Sequence, residues 1–295
     1  MTALLTRVKT TLSIRAHRRV RGMLDGEYAS IFRGRSHEFD DIRPYVPGDE
    51  IRDIDWKATA RSGYPLVKQF IAHRKQTVTL VVDTGRDLAA AGSGGEPKRD
   101  VAVLVAGVLG YIAVRHGDRV GLVAGDAGEI RLLEPKGAES HLERLLQVVV
   151  QRARLDGAPS DVRALLERVV RTVRGRMLLV VVVDDAAIDD ATAVLVRRLA
   201  VQHEILWITV GDADVMAAEW ATTPMVDVAD DRGIPDFLRR DRRLREDFAR
   251  AEEARATDRA DRLDALAVSH VRVARSDDAV PAVLRLIEAH NHARR

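Results

Sequence analysis

Between residues 77 and 292, strand-length apolar runs alternate with helix-length stretches, and this alternation constrains the fold more than any other feature. Thr77–Val82 and Arg176–Val183 are β-branched or continuously apolar, and Glu204–Val210 and Val268–Ala274 repeat the pattern. Runs without polar alternation are strands covered on both faces, as in parallel sheets. The stretches Pro97–His116, Glu139–Gln151, Ser160–Val173, Asp190–Val201 and Asp277–Ala289 read as helices, with Pro97 suited to a helix start and Ser160 to a cap. A long charged stretch, Pro235–Leu266, also reads as helical. Arg119–Ala124 and Glu129–Leu133 flank the turn Gly125–Gly128 and predict a pair of adjacent strands. Together these elements predict an α/β domain over residues 77–292, with a mostly parallel sheet and helices on both faces. Ligands of such sheets sit at the carboxyl ends of the strands. That directs attention to Asp83–Asp87, Asp184–Asp185 and Gly211–Asp212.

Residues 1–76 differ in pattern and in charge. They hold 15 Lys and Arg against 9 Asp and Glu, whereas the remainder holds 32 against 36. The first 24 residues carry six basic side chains and no acidic one. Within Thr6–Leu24, Val8, Leu12, Ile14 and Val20 recur on one side, so residues 1–24 read as a basic helix or arm. Its arginines (Arg15, Arg18, Arg19, Arg21) would attract nucleic acid electrostatically. Without interleaved aromatics or a recognisable module, a solvated helix or a docking arm for an acidic partner is the better expectation. Residues 25–76 are punctuated by Gly and Pro and include a strand over Pro65–Ile71, giving a small β-rich subdomain.

Composition removes several chemistries. The chain has no cysteine, so disulfides, thiolate catalysis and cysteine-ligated zinc are excluded. No apolar run approaches the roughly 20 residues of a membrane-spanning helix. No signal-like apolar segment follows the basic N-terminus. The expectation is a soluble, cytoplasmic protein. The phosphate-binding Gly-x-x-x-x-Gly-Lys-Ser/Thr loop and the Gly-x-Ser-x-Gly nucleophile turn are both missing, and the nine histidines show no metal-ligand spacing.

One segment concentrates acids, bases and aromatics. It runs from Glu38 through Arg43-Pro-Tyr45-Val-Pro-Gly48-Asp49 to Arg52, Asp53, Asp55-Trp56-Lys57, Arg61 and Lys68. Interlocked charge pairs would make it a cross-brace between the N-terminal part and the α/β domain. Alternatively, it is a surface for a partner. A third reading is a metal-dependent nuclease or other hydrolase built on the clustered Asp residues, with Asp49 and Asp55 as acids and Lys57 placing the nucleophile.

The order and spacing of Arg43-Pro-Tyr-Val-Pro-Gly-Asp-Glu50, Ile51-Arg-Asp-Ile-Asp-Trp-Lys57, Ala58, Ala60, Arg61 and Leu66-Val-Lys68 closely resemble the signature of the family called domain of unknown function 58. The resemblance extends through Leu80–Asp83 and covers most of residues 20–292. It implies a von Willebrand factor A-like domain. It also implies a non-catalytic role as adaptor or co-chaperone partner of a MoxR-type AAA+ ATPase, acting on a client protein in complex assembly. Asp83-Thr-Gly-Arg-Asp87 resembles the opening of a metal-ion-dependent adhesion site, Asp-x-Ser-x-Ser, with Gly85 and Asp87 in place of the serines. Asp184 or Asp185 would supply the later acid. Ser140 is the hydroxyl that the loop around Pro135–Ser140 offers in place of the pattern's threonine. Such a set suits Mg²⁺ or Mn²⁺, which take oxygen ligands.

Overall fold

A computed structural model of the chain describes residues 4–15, 27–28, 42–47, 49, 51, 54–68, 75–217, 220, 223, 225–229, 232–233 and 241–293. Nine helices among the described residues are α1 (Leu4–Arg15), α2 (Trp56–Ser62), α3 (Arg86–Ala89), α4 (Lys98–Arg115), α5 (Glu139–Arg152), α6 (Val162–Thr172), α7 (Asp190–Gln202), α8 (Arg242–Ala265) and α9 (Ala279–Ala293). The strands are β1 (Ile42–Pro44), β2 (Leu66–Lys68), β3 (Thr77–Asp83), β4 (Arg119–Gly125), β5 (Ile130–Lys136), β6 (Leu178–Val183), β7 (Glu204–Val210) and β8 (Ser269–Val273).

Strands β3 to β8 form one sheet in the order β5-β4-β3-β6-β7-β8. Every neighbouring pair is parallel except β4–β5. This is the doubly wound α/β arrangement expected from the alternation of elements. Successive side chains of β3 serve opposite faces, as strand geometry requires. Val78, Leu80 and Val82 enter a core shared with α1, α4, α5 and α9. Val81 enters a second core with side chains of α6, α7 and α8.

Helix α4 lies at the centre of the first core. Residues Val101–Gly110 are buried without a break, since the sheet lies on one side and α1, α5 and α9 on the others. A helix enclosed on all sides has no need of a polar face. Gly107 and Gly110 mark the close approaches. A Cβ at Gly107 would press on Val8 Cγ2 at 2.5 Å, and one at Gly110 on Leu142 Cδ1 at 2.6 Å.

The N-terminal helix departs from the solvated or outward-docking arm that its charge suggests. Leu5, Val8 and Leu12 of α1 are buried in the main core. The backbone amides of Leu4 and Leu5 donate to the Glu143 carboxylate on α5 at 3.0 and 2.6 Å. Its bases pair with the body of the domain, Lys9 with Glu139 at 2.5 Å and Arg7 with Glu96 at 3.3 Å. A spacing of three and four residues between leucine and valine outweighs the charge of the intervening positions, because apolar burial is the larger energy. Residues 16–24 of the expected helix lie outside the described residues.

In residues 25–76, β1 and β2 pair antiparallel, with Ile42 opposite Lys68 and Pro44 opposite Leu66. This agrees with the strand expected near Pro65–Ile71. Tyr28 is fully buried, and its hydroxyl donates to Asp118 Oδ2 at 2.9 Å.

If α1 belongs to the core, Leu12→Ala will lower the unfolding free energy by about 2–5 kcal/mol, the usual range for a buried leucine. Urea denaturation measures it, and a change within error of zero would return α1 to the role of a free arm.

Candidate functional site

Four parallel strands end in, or are followed within two residues by, an aspartate: Asp83 at the end of β3, Asp126 after β4, Asp184 after β6 and Asp212 after β7. The sheet register brings the middle two together. Val82 stands opposite Val182, so Asp83 and Asp184 leave adjacent strands at neighbouring levels.

Asp83 is wholly buried. Its Oδ1 accepts from the Gly85 amide at 2.9 Å, and its Oδ2 has no hydrogen-bond partner among the described residues. Asp184 is also buried, with Oδ1 unpartnered and Oδ2 3.9 Å from Lys98 Nζ. Lys98 Nζ in turn forms an ion pair with Asp212. Asp87, in the first turn of α3, accepts from the Ser160 amide at 3.1 Å. The Ser160 hydroxyl is itself buried with no well-formed hydrogen bond.

Ser160 is the residue that the sequence placed elsewhere. It is not the cap of α6; Asp161 caps that helix, accepting from the Ala164 amide at 2.8 Å. Instead, the loop before α6 is drawn along the ends of β3 and β4. The Arg86 amide donates to Ala158 O and the Ala127 amide to Pro159 O, both at 2.9 Å. This brings Ser160 so close to Gly85 that a Cβ there would collide with the Ser160 backbone and hydroxyl. Gly85 therefore stands where the adhesion-site pattern has its first serine because a hydroxyl from another loop fills that space. Ser140 cannot serve. Strand β5 runs antiparallel to β4, so the chain leaves it at the amino ends of the parallel strands and enters α5 there, with Ser140 exposed in its first turn. Only the far end of α5 returns to the acids, where Arg152 pairs with Asp126 at 2.9 Å and Glu129 at 2.8 Å.

Burial sets the electrostatics. The Asp83 carboxyl is raised to about 7, chiefly by desolvation, with the Ser160 hydroxyl and Gly85 amide pulling the other way. Asp184 is raised to about 6, again by desolvation first, with Lys98 opposing. Asp83 Oδ2, Asp184 Oδ1, Asp87 and Ser160 Oγ thus form an oxygen set short of positive charge. Hard divalent cations such as Mg²⁺ or Mn²⁺ take oxygen donors, but among the described residues no three acidic or histidine side chains are grouped so as to hold one.

Asp185 is not part of this set. Its carboxylate forms a buried pair with Arg259 of α8 and accepts from Arg272 of β8 at 2.7 and 3.0 Å. Of the adjacent acids after β6, one faces the cleft and the other ties down α8.

In the signature segment, two of the acids hold local backbone. Asp55 caps α2, accepting from the amides of Lys57 and Ala58 at 3.0 Å. Asp49 closes a tight turn, accepting from the Val46 amide at 3.0 Å. The Tyr45 amide donates to Pro65 O at 2.9 Å, and the Asp55 amide to Leu66 O at 2.8 Å. Asp49 and Asp55 thus each accept from local backbone amides. Trp56 is 64% exposed, and Val46, Ile51, Tyr64 and Arg61 are exposed too. Gly48 and Arg52 lie outside the described residues, and only the backbone of Arg43 and Lys68 is described.

The raised carboxyls give a pH dependence with a definite sign. From a usual value of 3.8, Asp83 rises to about 7 and Asp184 to about 6, so the folded state holds these protons more tightly than the unfolded chain. Their contribution to stability is fully present below the unfolded value and is lost as pH rises through the folded values. In ion-free protein the unfolding free energy will fall between about pH 4 and about pH 7. Asp83→Asn keeps the Gly85 contact but does not ionise, and it will flatten that fall in urea titrations. An equal slope in both proteins would refute the assignment.

No helix among the described residues is long and apolar enough to cross a membrane. An uncharacterized protein of Mycobacterium tuberculosis is 28% identical over 250 residues, 84% of this chain and 78% of that protein. Among solved structures, an aerotolerance-related membrane protein from Bacteroides fragilis is similar at TM-score 0.44 and 14% identity, covering 72% of this chain and 99% of that one. A von Willebrand factor type A protein from Catenulispora acidiphila is similar at TM-score 0.41 and 9% identity, covering 77% and 43%. The von Willebrand factor A-like fold itself rests on the strand order, the antiparallel edge strand and the acids at the carboxyl ends. The family model for proteins of unknown function DUF58 matches residues 41–258, and the chain belongs to that family.

Proposed function

We propose that the protein is a non-catalytic, cytoplasmic protein-binding module, partner of a MoxR-type AAA+ ATPase, which would supply energy while this chain supplies the recognition surface for a client. The observation that carries this reading is the exposure of Trp56 in the family signature, at 64%. An exposed tryptophan beside exposed Val46, Ile51 and Tyr64 is costly in water, and aromatic anchors dominate binding energy at protein interfaces. The polar members of the signature support this use. Asp49 and Asp55 hold the backbone through a turn and a helix cap, so the apolar side chains are presented on an ordered frame and lose little entropy on binding.

A divalent cation is the second part of the proposal. Asp83, Asp87, Asp184 and Ser160 would have to draw closer together to hold it. When bound, it would supply positive charge at the carboxyl edge of the sheet, where an acidic group of a partner could complete its shell.

Two measurements test these parts separately. Trp56→Ala will melt within error of the wild type yet fail to capture the AAA+ ATPase from the native lysate in the presence of Mg²⁺ and ATP. A large fall in melting temperature would instead make Trp56 a structural residue. Asp83→Ala will abolish Mn²⁺ binding measured by equilibrium dialysis, and unchanged binding would sink the cation assignment.

A further inference from the structure

A cleft of about 310 Å³ opens between α8 and the edge of the sheet. Its volume is at the lower end of the range for small-ligand sites. The cleft follows from the side chains on one face of α8. Residues 256, 259, 260 and 263 share that face by helical spacing, and two of them are alanines. Larger side chains would close α8 onto the sheet. Ala256 and Ala260 instead leave a gap, walled by Leu263 and floored by Thr209, His270 and Arg272. Thr209 and Arg272 are register partners on β7 and β8, so they lie side by side. Strand β8 is the outermost of its sheet, and among the described residues no further strand covers the gap.

Two guanidinium groups meet here over a single carboxylate. The side chains of Arg259 and Asp185 are each 7% exposed and form a buried pair. Arg259 takes Asp185 Oδ1, while Nε and Nη2 of Arg272 donate to Oδ2 at 3.0 and 2.7 Å. Asp185 therefore offsets one of the two positive charges. Arg272 is half-exposed, and its Nη1 donates to no described residue. Gly211 permits this placement, since a Cβ there would meet the guanidinium carbon at 2.7 Å. The other charged neighbours are Asp264 and His270, which pair at 3.2 Å. The Asp264 side chain is 72% exposed, so water screens it from the cleft. What remains is one uncompensated guanidinium beside an apolar wall. A guanidinium recognises a carboxylate in its own plane through its N–H groups, and the buried Thr209 adds a hydroxyl donor. A single surplus charge suits a monoanion better than a phosphate.

We infer that the cleft between α8 and β8 binds a carboxylate on a short apolar body. Arg272 and the Thr209 hydroxyl hold the charged end, and the apolar body lies against Ala256, Ala260 and Leu263. A free aliphatic acid and the C-terminal carboxylate of a partner chain both carry that chemistry. The site uses neither Trp56 nor Asp83 and Asp184, so its failure leaves the proposed function untouched.

Chemical-shift titration of the isotope-labelled full chain with sodium valerate tests this, with n-pentanol as the uncharged control. Valerate will give saturating shifts at the amides of Ala260 and Arg272, and n-pentanol will not. Ala260→Leu fills the cleft without removing a charge. It will melt at or above the wild-type temperature and lose the shifts at Arg272. Arg272→Gln will weaken binding by about tenfold or more, the usual loss for a hydrogen bond to a charged group. An acetylated Ala-Ala-Val tripeptide with a free carboxyl terminus, run beside its amide, separates the two sources. Tighter binding than valerate assigns the cleft to a chain end, and any weaker result assigns it to a free acid; both support a carboxylate site. Equal shifts with n-pentanol, tighter binding of inorganic phosphate than of valerate, or no saturable shift at the cleft each overturns the inference. If Arg272→Gln does not fold, Ala260→Leu decides alone, and undiminished binding refutes it.

Discussion

The parallel register between β3 and β6 is the constraint on which the site depends. Val82 opposite Val182 is a hydrogen-bonded pairing in the middle of the sheet, flanked by β4 and β7. Because both strands run the same way, their carboxyl ends deliver Asp83 and Asp184 to one place. A slip of one residue would reverse the face of every side chain in β3 and empty both cores. The acids are thus held together by apolar packing some distance beneath them. Their desolvation works against that packing, with nearby acids adding to it, and their carboxyls are raised to about 7 and about 6.

Around that pair, each remaining charge is given a separate task. Arg152 neutralises Asp126 and Glu129, Arg259 and Arg272 neutralise Asp185, and Lys98 joins Asp184 to Asp212. The first two groups anchor α5 and α8 to the sheet, and breaking such buried pairs is more damaging than never having had them. The Lys98 group is different, because it leaves oxygen atoms of Asp83 and Asp184 without partners among the described residues. Buried polar atoms without partners are uncommon in native proteins, and each calls for an explanation. The same division of labour appears in the signature segment. There the acids satisfy backbone amides and leave the aromatic side chains outside.

The N-terminal helix shows how a compositional signal can mislead. Charge counts made residues 1–24 look like a solvent-facing arm, whereas Leu5, Val8 and Leu12 close the core over α4. The glycines at 107 and 110 reflect the same packing. They are the points where α1 and α5 come close to α4.

Periodicity and strand-end position were sufficient to read the α/β class, the run of strands and helices from residue 77 onward, and four of the acids at the site, Asp83, Asp87, Asp184 and Asp212. These features follow from local hydrogen bonding and from the rule that both faces of a parallel sheet are covered, so they are written in the order of residues along the chain. What the linear order does not contain is which loop lies beside which strand end. Ser160 reaches Asp83 from 77 residues away because loop contacts pull it there, while Ser140, closer in sequence, is carried to the other end of the sheet by the antiparallel strand β5. Asp184 and Asp185 are equivalent in sequence, and only the placement of Arg259 and Arg272 separates them. Lys98 looks like an ordinary helix-start lysine until the ends of β6 and β7 are seen to enclose it. Tertiary structure decided these points, because long-range Coulomb pairing and steric room depend on distances through space and not on spacing along the chain.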